Sequence, residues 1–213
     1  MSNEPEFIYD IEQGTPQWFE VRRGIPTASE FAPILVGKVG RVTYANRLAG
    51  ELLCGAVAEQ TFTRPWLERG KEMEGEVRDK FARDRLVELR RPGFVRRKLS
   101  SGRYVGCSPD ALFEDNGVPS VLEIKTMQPE KMIAQRRNGF DPKTLPTEHH
   151  AQCMGALWVT GYRRVHLVIW YRGMPFDLHY VSDRDEPTIT RMAKEIEGFD
   201  REVNAIVQEA GKW

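Results

Sequence analysis

The chain has 213 residues, 31 Lys plus Arg against 31 Asp plus Glu, and 40% hydrophobic residues. This length suits one domain with a full core, and the balanced charge excludes the wholly basic surface that a large Lys/Arg excess creates. Cys54, Cys107 and Cys153 are scattered and form no C-x-x-C, which argues against a disulfide framework or a zinc knuckle, and no apolar run approaches the roughly 18 residues of a membrane span.

The acidic N-terminus does not read as a signal peptide, so a cytoplasmic, reduced protein is expected. The arginines are nonetheless clustered, at Arg22-Arg23, Arg90-Arg91, Arg96-Arg97, Arg136-Arg137 and Arg163-Arg164. Local basic clusters within a neutral total predict a focused channel, with about half of these pairs serving only as solvated faces.

In chain order, the first third reads as helical. Thr27 followed by Glu30 has the spacing of a capping box, which places Ser29 in the first turn of a helix that Pro33 keeps short or kinked. A second helix is expected over 43–59, with Leu48, Leu52 and Val57 inward. A third spans 66–86, with Gly70, Glu74, Val77 and Phe81 on one stripe. From Phe94 the period changes to two, predicting a three-stranded meander near 94–99, 103–113 and 120–126. Helices follow at 129–137 and from Thr147 to a stop at Gly161, then strands at 163–172 and 176–182. After Pro187 a helix carries Ile189, Met192, Ile196, Phe199, Val203 and Ile206 on a narrow stripe suited to the domain core or to a neighbouring subunit. Helices with an antiparallel meander and further strands make an α/β or α+β layer fold in a single domain over 1–213.

The meander contains three charged residues in otherwise sheet-like segments, Asp110, Glu123 and Lys125. Asn116-Gly117 between them is the sequence of a type I′ hairpin turn, whose central residues both need φ > 0. With that turn the paired residue numbers sum to 233, so Asp110 faces Glu123, and Glu123 shares a face with Lys125. Facing residues have Cβ atoms about 4.5–5.5 Å apart. Two carboxylates so close call for a positive charge between them. With the Ile124 carbonyl nearby they form a hard-oxygen donor set of the kind that takes Mg²⁺, or Mn²⁺ in its place. Lys125 would orient or help deprotonate the attacking water, which together describes metal-assisted phosphodiester hydrolysis. Glu74 adds a carboxylate on an apolar stripe, costly unless paired or metal-bound. The plainer alternatives are a solvent-facing Glu-x-Lys and a Glu74–Arg78 ion pair.

Five segments in this order carry a resemblance: 12–31 (EQGTPQWFEVRRGIPTASEF), 69–81 (RGKEMEGEVRDKF), 106–112 (GCSPDAL), 122–126 (LEIKT) and 149–161 (HHAQCMGALWVTG). Together they resemble the motifs of the phage lambda exonuclease family, the YqaJ-type viral recombinase nucleases of the PD-(D/E)XK superfamily. The resemblance implies a restriction-endonuclease-like α/β fold, a central mixed sheet flanked by helices. It implies Asp110, Glu123 and the Ile124 carbonyl as metal ligands, Lys125 as the catalytic lysine, Glu74 as the acidic residue of the preceding helix and Gln152 as a residue of the metal-site network. It further implies Arg22, Ser29 and Ser108 as a 5′-phosphate pocket. Bottom-up, Ser29 gains from a helix N-terminus, Arg22 from bidentate phosphate contact, and Ser108 from lying on the metal-facing side of its strand.

The activity so implied is Mg²⁺-dependent 5′-to-3′ digestion of linear duplex DNA. It would leave a 3′ single strand for a single-strand annealing protein in phage recombination, within the host cytoplasm. Family members form ring-shaped trimers, which makes a homo-oligomer the expectation. The absence of acidic residues between Glu88 and Asp110 departs from relatives with a further carboxylate there, so a second metal is not expected. Two alternatives stand beside this reading, a PD-(D/E)XK endonuclease and a non-catalytic DNA-end-binding module. An iron–sulfur nuclease would need four cysteines, one more than the chain has.

Overall fold

The computed structural model describes residues 4–37, 39–57 and 65–212, with side chains from residue 73 onward in the helix that starts at Pro65. The chain opens with strand β1 (Glu6–Ile8) and helix α1 (Pro16–Arg22), then a 3₁₀ turn (Ala28–Glu30) leading into α2 (Phe31–Val36). Helices α3 (Val39–Cys54) and α4 (Pro65–Arg85) follow, then strands β2 (Phe94–Lys98), β3 (Tyr104–Cys107), β4 (Ala111–Asp115) and β5 (Val118–Thr126). Helices α5 (Pro129–Arg137) and α6 (Thr147–Thr160), strands β6 (Arg164–Trp170) and β7 (Leu178–Asp183), and helix α7 (Glu186–Ala210) complete the described chain. The class is mixed α/β, as expected, but the strands form two sheets. One is antiparallel, in the order β1-β2-β3; the other runs β4-β5-β6-β7, with β5 and β6 parallel and its other pairs antiparallel.

The expected meander is therefore corrected. The segment 103–113 is two strands, broken at Ser108-Pro109-Asp110, and its halves belong to different sheets. Pro109 has no N–H to give a ladder, and its carbonyl instead accepts from the Gln13 side chain at 3.1 Å. The turn between β4 and β5 forms as its sequence requires. Asn116 and Gly117 have φ of 50° and 81°, and every β4–β5 pair from Ala111↔Leu122 to Asp115↔Val118 obeys the predicted register.

The four-stranded sheet is covered on both faces. Leu112, Val121, Val165, Leu167 and Ile169 join the larger core with α6 and α7, whereas Ala111, Phe113, Leu122, Ile124 and Val168 meet Val77 and Phe81 of α4. Glu123 and Lys125 thus point to the same side as Val121, beneath α6, and not to open water. The α7 stripe packs on its own domain: Ile189, Met192, Ile196, Phe199 and Val203 are buried, and Phe199 stacks on Tyr44 of α3 at 5.3 Å. Among the described residues no helix is long and apolar enough to cross a membrane.

Two helix expectations shift. Helix α3 starts four residues before 43 and ends at Cys54, because Gly55 turns left-handed with φ of 64°; residues 58 and 59 of the expected helix lie outside the described residues. The Thr27–Glu30 capping box does not form. Thr27 makes no side-chain cap, and Glu30 pairs with Arg47 at 3.2 Å. Thr27 leads instead into a single 3₁₀ turn and a six-residue helix, too short for the dipole argument made for Ser29.

Candidate active site

The break at Pro109 opens a cleft of about 450 Å³ between the diverging sheets. Arg22, Ser29, Glu74, Ser108, Asp110, Glu123, Ile124, Lys125 and Gln152 all line it, together with Gln13, Trp18, Thr27, Ala28, Cys107 and Thr126. Every site residue expected from sequence therefore meets in one place, although α1, α4, β5 and α6 are far apart in the chain.

The carboxylate side is built by the hairpin. Asp110 lies one residue before β4, its N–H donates to the Leu122 carbonyl at 3.2 Å, and its Oδ2 accepts from the Ile124 N–H at 2.6 Å. These two bonds close the hairpin end and aim Asp110 along the face of Glu123. Glu123 is 3% exposed; its Oε2 accepts from the Gln152 amide at 2.9 Å and lies 3.5 Å from the Lys125 ammonium. Burial pushes the Glu123 carboxyl up to about 8, with Lys125 pulling it back and Asp110 and Glu74 adding to the rise. Asp110 is also raised, chiefly by burial, against the pull of Lys125, the Ile124 N–H, Arg78 and Arg91. For Lys125 burial favours the neutral amine, but Glu123, Asp110 and Glu74 together outweigh it and raise its pKa.

Those shifts come first from burial, against the pull of Lys125 on both carboxyls and of Arg78 and Arg91 on Asp110. Among the described residues no group of three or more His, Cys, Asp and Glu is arranged to hold a metal ion by itself. The donor chemistry nonetheless fits a hard divalent cation that keeps part of its water shell: the buried Glu123 and the half-buried Asp110 lie beside the Ile124 peptide, with Glu74 on the same cleft wall.

The opposite wall carries hydrogen-bond donors. The Arg22 guanidinium lies 3.7 Å from the Trp18 ring centroid and donates to the Thr27 hydroxyl at 3.4 Å, while its buried Nε has no partner among the described residues. Burial lowers the Arg22 pKa from its usual value. Thr27 and Ser29 share a hydrogen bond at 3.3 Å. Ser108 lies in the strand break and not on a strand, a second correction, and its Oγ accepts from the Trp18 indole at 3.0 Å. Gly155 of α6 lets the 3₁₀ turn approach: a Cβ there would stand 2.6 Å from the Phe31 ring and 3.1 Å from Ala28. The Gly106 N–H donates to the Pro26 carbonyl at 2.9 Å, fastening the Thr27 segment to β3.

Sequence reasoning missed Trp18 and Gln13. Trp18 was within reach, since it stands four residues before Arg22 and so on the same helix face. The arginine clusters divide, as expected, between the site and the surface, with Arg91 near enough to Asp110 to lower its pKa. Arg22 is on the cleft wall, but Arg96 pairs with Glu6 at 2.8 Å, and Arg164 pairs with Asp115 at 3.0 Å and Asp183 at 2.7 Å.

This mixed α/β fold, with its carboxylates and lysine gathered where two sheets part, is of the PD-(D/E)XK type. The chain belongs to the YqaJ-like viral recombinase family, whose model matches residues 17–163. The fold is similar to that of the alkaline exonuclease LHK-Exo from Laribacter hongkongensis, at TM-score 0.79 and 22% identity over 93% of this chain and 97% of that one. The same exonuclease in complex with dAMP gives 0.80 at the same identity and coverage. A phage-related exonuclease from Haemophilus somnus 129PT matches at TM-score 0.60 and 12% identity, over 87% and 96% of the two chains. A search of curated proteins found no match.

Proposed function

We propose that this protein is a divalent-cation-dependent exonuclease that digests the 5′-ended strand of linear duplex DNA and leaves a 3′ single-stranded tail. The observation that carries this reading is the pairing, within one cleft of about 450 Å³, of a carboxylate–lysine wall with a donor wall of Arg22, Ser29 and Ser108. The first wall suits hydrolysis of a phosphodiester. The second suits a terminal phosphate, so an end is held while the adjoining bond is cut.

Asp110, Glu123 and the Ile124 carbonyl would hold Mg²⁺ or Mn²⁺, with Gln152 keeping the Glu123 carboxylate in place. The cation supplies acidification of a water and neutralisation of phosphate charge. Lys125, surrounded by Glu123, Asp110 and Glu74, stays an ammonium at neutral pH. It therefore orients the attacking water and offsets charge on the scissile phosphate, while a role as resting general base is disfavoured. The dAMP bound by LHK-Exo is a nucleoside monophosphate, the class of product an exonuclease releases. Handing the 3′ tail to a single-strand annealing protein, and a ring-shaped trimer around the duplex, belong to the same reading by family resemblance.

The test is digestion of 5′-phosphorylated linear duplex and of covalently closed circles, with Mg²⁺ and with chelator. Mg²⁺-dependent release of mononucleotides from the linear duplex alone is expected. Ready cutting of the circles would leave the endonuclease alternative, and no cleavage of either would leave an end-binding module.

A further inference from the structure

Trp18 touches both ends of the donor wall. Its ring face lies under the Arg22 guanidinium, and its indole N–H is shared between the Gly93 carbonyl and Ser108 Oγ, each at 3.0 Å. An indole nitrogen can only donate, so Ser108 is forced to accept there, and its own O–H is turned away from Trp18 with its proton available to a ligand. The Thr27 hydroxyl accepts from Arg22 and shares a hydrogen bond with Ser29 Oγ in which either oxygen can donate. The wall on the cleft thereby offers donors: the Arg22 guanidinium, whose Nε has no partner among the described residues, and the Ser108 hydroxyl, whose proton is not engaged by Trp18.

We infer that Trp18 is a positioning residue of the terminal-phosphate subsite, fixing Ser108 as a hydrogen-bond donor through its N–H and seating the Arg22 guanidinium on its ring. The inference rests on the proposed 5′-phosphate reading of that wall. Its physical consequence is selectivity for charge. A dianionic terminal phosphate has acceptors for every donor, whereas a 5′-hydroxyl would leave desolvated donors unpaired. The ring contributes separately, because a guanidinium stacked on an indole gains cation–π attraction and loses the freedom to swing into solvent.

The experiment compares initial digestion rates on 5′-phosphate and 5′-hydroxyl ends of one linear duplex, and reads their ratio. Arg22→Ala sets the scale: it should lower the ratio by roughly 10- to 150-fold, the span of a lost charged hydrogen bond, while some cation-dependent cleavage persists. Trp18→Phe keeps a ring under Arg22 and removes the N–H, so the ratio should fall by about 2- to 10-fold. Trp18→Leu removes both contacts and should bring the ratio close to that of Arg22→Ala. Trp18→His, which retains a ring N–H, should recover part of the loss seen with Phe, and it carries the test if the Phe variant does not fold. In the Ser108→Ala background, Trp18→Phe should change the ratio little, since the N–H acts through that hydroxyl. A merely structural Trp18 would lower both rates together and leave the ratio intact, and that result overturns the inference. If the wild-type protein digests both ends equally, the 5′-phosphate reading itself falls. A wild-type preference that survives Trp18→Phe removes the role of Trp18 alone.

Discussion

The Gln152 amide on α6 donates to Glu123 Oε2 on β5 at 2.9 Å, so the helix that buries the carboxylate also satisfies one of its oxygens. Removing the donor leaves a buried acceptor short of a partner and favours the protonated acid. Gln152→Leu should therefore weaken cation binding and lower the rate by about 10- to 150-fold, the span of a lost hydrogen bond to a charged group. A Mg²⁺ titration of the rate would show it as a higher half-saturating concentration. An unchanged titration curve would restrict Gln152 to packing.

The carboxylate–lysine wall should be indispensable for cleavage but not for folding. Asp110→Ala, Glu123→Ala and Lys125→Ala are each expected to abolish digestion while far-UV circular dichroism stays native. Mg²⁺-dependent activity in Lys125→Ala would end the role given to that lysine.

Burial raises the Glu123 pKa, so its charge is a strain on the cation-free protein. In chelator, Glu123→Gln should melt at or above the wild-type temperature at pH 8. Millimolar Mg²⁺ should raise the wild-type Tm, because a ligand that binds only the folded state stabilises it, and should leave the Gln variant unmoved. A Gln variant that responds equally to Mg²⁺ would place the cation elsewhere.

Glu74 and Glu76 lie two residues apart on α4 and make a matched pair. Glu74 lines the cleft, whereas Glu76 is exposed and pairs at the surface with Arg172. Glu74→Gln should lose most activity with little change in Tm, and Glu76→Gln should be near neutral in both, as for most surface ion pairs. A large drop in Tm for Glu74→Gln would make that residue a structural ion-pair member.

Away from the cleft, His166 and His179 form a relay on the α4 side of the sheet. Arg85 donates to His179 Nδ1 at 3.3 Å, the two rings meet at 3.0 Å, and His166 Nε2 meets Asp115 Oδ2 at 3.2 Å. With a donor at one end and a carboxylate at the other, both rings are neutral with the proton on Nε2. Burial lowers both pKa values to about 4, helped at His166 by His179 and at His179 by Arg85. Unfolded histidine titrates near 6.5. Between about pH 6.5 and 4 the unfolded chain therefore binds more protons than the folded one, and this contribution to stability, full above 6.5, is lost as pH falls. Glu123 acts in the opposite sense below pH 8, so the comparison with a variant is what isolates the relay. From pH 7 to 5 the wild type should lose more Tm than His179→Gln does. Equal losses would show that the relay does not titrate with folding.

What the sequence determined here was local. Asn116-Gly117 admits a turn with two positive φ values, and that turn sets the β4–β5 register as far as Ala111↔Leu122, one residue short of Asp110 and Glu123. The α7 stripe and the Gly161 stop of α6 follow from helical spacing and from a residue free to turn left-handed. The tertiary structure decided what depends on chain segments far apart. Whether Glu123 faced water or a core hung on α6 folding over its side of the sheet, and that burial sets its pKa. The split of 103–113 into two sheets came from β2 claiming β3 while β5 claimed β4, a competition that strand periodicity cannot register. The capping box gave way because Glu30 found Arg47 and the Thr27 hydroxyl found Arg22 and Ser29. Trp18 meets Ser108 across 90 residues of chain. Local spacing fixes which way a side chain points along its own element, but its neighbours, and with them its charge and its proton, are set by packing.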